Sequence, residues 1–391
     1  MSKKIIYLYR IKKTFMRMKR QIAIVAAAAA AVLFLSTSLT GETPSWIRKN
    51  AISPDGNTLA FSYKGDIYTV PSRGGEARQL TSNPAYDSDP LWTSDGKNIV
   101  FTSTREDSRD IFIIPSEGGV PTRLTTLPGN ENLLAVAPDG TVFFSWYDSA
   151  LMTESFDGFP GSYFSQVFKT DISGAVPEIV TSLTMSSMSV SPSGNAILYE
   201  DYKGYEDPLR KHHTSSVTRD IWLYTSADEK AGMDINSSGN FRKVTDFQGE
   251  DRNPVFASDG EAFYFLSERG GGTSNVFKSS LSSPSTCIQL TFYDKNPVRF
   301  LSVSNTGTVA YSWNGDLYTI GSAGPQKVEI TLRRDESEQE VTRTTLTGGA
   351  TSMAVSPTGK EIAFVARGDV FVTSVEFGTT RRITNTPGQE R

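Results

Sequence analysis

A chain of 391 residues with 38% hydrophobic and 21% charged residues has the balance of a globular protein rather than a disordered one. Its length exceeds one simple core, so two domains or a repeat array are expected. The 39 basic and 43 acidic residues give a net charge of −4, and the single cysteine, Cys287, excludes an internal disulfide and a cysteine-built zinc site.

The N-terminus comes first in chain order. Residues 1–20 carry eight Lys or Arg and no acid, and an apolar run from Ile22 to Leu35 leads into the small, polar "STSLTG". That order reads as a secretory signal over residues 1–40. The apolar run is shorter than the roughly 20 residues a membrane span needs, although an uncleaved anchor is the alternative reading. The basic prelude is long, so the first 15 or so residues read as an over-extended start, with Met16 or Met18 the more ordinary beginning. Cleavage near Ser38 to Gly41 would leave 31 bases against 43 acids, a net charge of −12. Such a chain is expected to be periplasmic or secreted, with no membrane contact after cleavage. Its acidity argues against a nucleic-acid partner, whose phosphates demand a basic face.

From residue 53 one turn is written seven times: "SPDGNTLAF" (53–61), "TSDGKNIVF" (93–101), "APDGTVFFS" (137–145), "SPSGNAILY" (191–199), "ASDGEAFYF" (257–265), "SNTGTVAYS" (304–312) and "SPTGKEIAF" (356–364). Each turn opens a hairpin, because Pro presets φ and Gly supplies φ > 0. A second signature follows, an Asp or Asn, an aliphatic and an aromatic, as in Asp66-Ile67-Tyr68 and Asp369-Val370-Phe371; the third unit has Gln166-Val167-Phe168. Each unit then closes on an aliphatic followed by Thr, from Leu80-Thr81 through Ile330-Thr331 in the sixth to Ile383-Thr384 in the seventh. Four strands of about five residues per unit make an antiparallel meander that is apolar on both faces and unstable in isolation. Radial stacking covers those faces, and turn glycines spaced mostly 40–54 residues apart suit a β-propeller. The repeated Asp is expected to cap a turn by bonding nearby backbone N–H groups.

The excess length falls in three loops: 146–163, 201–220 and 226–240. The second holds both histidines, His212 and His213, beside Arg210 and Lys211. Adjacent histidines on an extended segment point opposite ways and cannot chelate one metal together. They read as solvated loop residues, with peptide or carboxylate recognition by Arg210, His212 and His213 as the functional alternative. No nucleophile elbow, phosphate loop or dinucleotide fingerprint is present. No catalytic residue, metal site or cofactor is therefore assigned.

The stretches "SPDGNTLAFSYKGDIYTVPSRGGEARQLT" (53–81), "SPTGKEIAFVARGDVFVTSV" (356–375) and "LRKHHTSSVTRDIWLY" (209–224) resemble the N-terminal propeller region of tricorn-like serine peptidases. The turn motifs are shared with Tol-type and other propeller repeats, and the resemblance covers about residues 44–391. It implies a six-bladed propeller followed by a seven-bladed one, a PDZ module and a catalytic core that holds the Ser and His. Nothing in this sequence matches that core. The expectation is an all-β fold: a six-bladed propeller at 43–331, a charged linker at 332–346, and the orphan first blade of a second, truncated propeller at 347–391. A single seven-bladed propeller is the alternative. The function implied is the peptide-binding or gating portion of an exported peptidase that acts on unfolded peptide or protein. It would be inactive without its C-terminal catalytic region. A stand-alone periplasmic interaction scaffold of the Tol type is the other reading.

Overall fold

The computed structural model describes residues 43–146, 165–204, 217–227, 235, 239–332, 348–384, 386 and 388–390. The expected signal region, most of the three long loops and the linker residues 333–347 lie outside the described residues.

All seven repeated turns share one closure. The glycine N–H donates to the carbonyl three residues earlier, as in Gly56 to Ser53 and Gly359 to Ser356, both at 2.9 Å. These glycines have φ between +68° and +91°, a region closed to most side chains. Asp55 locks the first turn by accepting from the Ser53 hydroxyl at 2.5 Å and the Asn57 N–H at 3.0 Å. Those bonds hold its carboxyl below the usual carboxylate range. In the first six sheets the strand after the turn carries a continuous buried run, as in Thr58–Tyr63, Thr141–Trp146 and Ala196–Glu200. That burial explains its unbroken apolar spelling.

The Asp of the second signature does something other than cap a turn. Asp110 pairs with Arg123 at 2.9 Å, Asp220 with Lys243 at 2.9 Å and Asp316 with Lys327 at 3.0 Å. Each cation stands on the fourth strand of the same sheet, just before the closing aliphatic. The fifth unit has Asn275 instead, which accepts from the Thr291 hydroxyl at 2.9 Å. The closing Thr itself accepts from the residue after the Asp: Ile67 N–H to Thr81, Ile111 to Thr125, Ile221 to Thr245, Val276 to Thr291 and Val370 to Thr384, all at 2.9–3.0 Å. The two signatures are thus two halves of one cross-strand lock.

The sixth unit departs from expectation. Val328 N–H donates to the Leu317 carbonyl at 2.9 Å, as Leu80 does to Ile67 at 2.8 Å. Val328 is therefore its closing aliphatic, and Glu329 stands where Thr was expected. Strand Ile330–Leu332 instead pairs in parallel with Gly75–Gln79 of the first sheet, with Ile330 opposite Gly75. Leu332, assigned above to the linker, is a buried member of that strand. Glycine is required at position 74, where a Cβ would lie 2.7 Å from the Glu329 carbonyl oxygen.

Among the described residues the strands form seven four-stranded antiparallel sheets, one per unit, with Ile330–Leu332 added to the first. No helix occurs among the described residues. The inner strands of the first six sheets are Arg48–Ile52, Asp87–Trp92, Glu131–Val136, Ser187–Val190, Asp251–Phe256 and Arg299–Val303. Each packs against the next, and Arg299–Val303 packs back against Arg48–Ile52. Apolar clusters fill the spaces between successive sheets. One joins Leu59, Phe61 and Val70 of the first sheet to Ala310, Leu317 and Val328 of the sixth. This is a β-propeller of four-stranded blades.

The seventh sheet shares none of these clusters, and its strand Ala350–Val355 is exposed along its whole length. It meets the first sheet at hairpin tips. Lys64 Nζ donates to the Thr386 carbonyl at 2.6 Å and lies 3.4 Å from Asp369, and Arg367 donates to the Pro84 carbonyl at 2.7 Å.

Candidate functional site: the mouth of the propeller axis

Four of the six inner strands begin irregularly. Their pairing with the second strand slips between Arg48 and Asn50, Ser88 and Leu91, Arg252 and Val255, and Arg299 and Ser302. The residues set into these bulges are left-handed: Lys49 (φ +47°), Asp89 (+54°), Asn253 (+50°) and Phe300 (+57°). Asn and Asp tolerate that region, but for Lys and Phe it costs roughly 1–3 kcal/mol each. A bulge re-aims a side chain. Here the re-aimed residues line a cavity of about 440 Å³ on the axis, together with residues from all six inner strands.

Side chains from different sheets tie the mouth together. Asn50, buried, donates to the Phe300 carbonyl at 2.8 Å and the Ser312 hydroxyl at 3.1 Å. Asn253 accepts from Leu301 N–H at 2.9 Å. Lys49 Nζ lies 2.8 Å from Asp89 and 5.5 Å from the centre of the Phe300 ring. Burial opposes ionisation of Asp89, yet the Lys49 ammonium and the Ser88 hydroxyl outweigh it and hold the carboxyl below its ordinary range.

Across the cavity, Glu200 and Glu250 are buried and share two cations. Glu200 lies 3.2 Å from both Arg219 and Arg252, and Glu250 lies 3.8 Å from Arg219. Glu200 also accepts the Asn253 N–H at 2.9 Å. Near the mouth, Glu131 is fully buried at the start of the third inner strand. Burial pushes its carboxyl up to about 7 and the Asp110 carboxylate adds to the rise, against hydrogen bonds from the Thr125 hydroxyl and Leu127 N–H.

Arg210, His212 and His213, the sequence-based candidates, lie outside the described residues. Where the same loop returns to its strand it supplies Arg219, buried behind the cavity-lining Glu200 and Glu250. Sequence reasoning missed Lys49, Asp89, Arg219, Glu250, Arg252 and Phe300. For Lys49, Asp89 and Arg252 the signal was polar spelling, "RKN", "DSDP" and "DRNP", at the start of strands whose neighbours are apolar; Arg219, Glu250 and Phe300 stand outside those stretches. Among the described residues, no group of three or more His, Cys, Asp or Glu could hold a metal ion.

Residues 44–326 match the tricorn protease N-terminal beta propeller domain. The chain belongs to that family. The tricorn protease crystal structure aligns over 88% of this chain and 31% of its own, with a TM-score of 0.57 at 16% identity, a likeness of fold. An uncharacterized peptidase of Bacillus subtilis (strain 168), YuxL, is 49% identical over 55 residues, which are 13% of this chain and 8% of that protein. TolB from Acinetobacter baumannii aligns over 85% of this chain and 77% of its own, with a TM-score of 0.45 at 14% identity. This tricorn-type propeller therefore spans a small part of the length of the peptidase relatives it matches.

Proposed function

We propose that this chain is the peptide-gating propeller portion of an exported tricorn-like serine peptidase, with the catalytic residues supplied by another region. One observation carries the reading: a charged cavity on the axis, built by strained bulges from successive inner strands. A mouth of this size, within the range of ligand pockets, admits an extended peptide segment and excludes a folded domain. Residues 43–332 then form a six-bladed ring and 347–391 the first blade of a second propeller, which the cluster joining the sixth sheet to the first supports.

The test is fluorescence anisotropy with the purified protein. A labelled, carboxymethylated protein that cannot fold should bind without being cleaved, while its native counterpart should not. Binding of the native form in preference would replace this reading with an interaction scaffold. Export is tested separately by sequencing the N-terminus of protein from fractionated cells. A mature start between residues 37 and 44 outside the cytosol is expected, and an intact start in the cytosol contradicts it.

A further inference from the structure

Lys49, Asp89 and Phe300 come from three different sheets, all are left-handed, and all meet at one point of the mouth. We infer that they form a subsite for a carboxylate of an extended peptide, with the apolar side chain beside that carboxylate seated on the Phe300 ring. The inference rests on the peptide-gating reading and names the chemistry the mouth selects.

The two charges are unequally held. The Asp89 carboxylate also accepts from the Ser88 hydroxyl at 2.6 Å and the Thr102 hydroxyl at 3.3 Å, and its side chain is 22% exposed. The Lys49 side chain is 50% exposed. An arriving carboxylate can share the half-exposed ammonium with Asp89, which also keeps both hydroxyls, so no buried charge is stranded. An arriving cation would have to displace Lys49 in a cavity that Arg48 and Arg299 also line. A shift of the ammonium toward the ligand carboxylate also bares the Phe300 ring face, which an apolar side chain then covers. The strained bulges thereby acquire a use, as strain at a ligand clamp commonly does.

Two fluorescein-labelled extended peptides of one sequence ending in Phe, one a free acid and one an amide, test this by anisotropy with the purified protein. The acid should bind at least about tenfold more tightly, the worth of a charge-assisted contact. Lys49→Asn, which suits the left-handed backbone, should abolish the preference for the acid over the amide, while Lys49→Arg should retain it. Phe300→Asn should weaken both peptides. Equal binding of acid and amide by the unaltered protein, or a preference that survives Lys49→Asn, overturns the subsite and leaves peptide gating standing. Failure of both peptides to bind overturns the gating reading itself, and the acid–amide comparison needs no variant to fold.

Discussion

The backbone N–H of Asn305 donates to the carbonyl of Pro54 at 2.9 Å, so the repeated turn of the sixth sheet is bonded to that of the first. Ile52 N–H donates to the Ser302 hydroxyl at 3.1 Å one layer further along the same seam. Strand Ile330–Leu332 seals the outer edge. The seam is therefore bonded at its inner rim, along its inner strands and at its periphery.

Truncation should respect this seam. Val328, Ile330 and Leu332 are buried, and each is worth about 1.5–3 kcal/mol. A chain ending at Leu332 should keep the cooperative unfolding of the ring, whereas one ending at Lys327 should melt about 10 °C lower. Thermal melts of the two compare directly. A large loss on removing residues 348–391, with little further loss on removing 328–332, would mean that the seventh sheet belongs to the ring.

Asn50 is a buried staple between the first and sixth sheets. Asn50→Leu strands the Phe300 carbonyl and the Ser312 hydroxyl and should destabilise by about 2–3 kcal/mol in urea unfolding, since each unpaired buried group is costly. Asn50→Asp should do no better, because it cannot donate to the carbonyl.

Arg219 neutralises Glu200 and Glu250 from a position 5% exposed. Arg219→Ala leaves Arg252 to serve two buried carboxylates and should cost about 3–5 kcal/mol. Glu250→Gln in the same chain should recover part of that loss. A double-mutant cycle in denaturant reads the coupling.

Glu131 supplies a pH signature. Its carboxyl is raised in the folded protein from an ordinary 4.5 to about 7. The folded state therefore binds its proton more tightly than the unfolded state. That contribution is fully present below pH 4.5 and is lost as pH rises through about 7. Glu131→Gln should remove this dependence and make the protein more stable than the parent at pH 8, by an amount of order 2–3 kcal/mol. A melting series from pH 4.5 to 8 in both proteins checks it; parallel curves would contradict it.

How much of this was legible follows the range of each interaction. The Ser53–Asp55–Gly56 turn is settled within five residues, so "SPDG" could be read as a turn, and repetition made it a propeller. The lock between Asp110 and Arg123 spans a whole hairpin, which is why its Asp read as a local cap. Ile330-Thr331 imitated a closing signature by composition alone; its role depends on Gly74 and Gly75, some 255 residues earlier. The mouth was the least legible. Lys49 and Phe300 carry no spelling that announces a left-handed bulge, and their meeting needs the ring to be closed.

Hydrogen exchange on the purified protein, with and without a saturating unfolded peptide, tests the account most directly. Peptide gating at the axis predicts new protection at the starts of the inner strands, around residues 48–50, 89–91, 252–253 and 299–301, with outer strands such as Ser283–Gln289 unchanged. Protection confined to outer edges or to the seventh sheet, with those inner residues unaltered, would contradict it.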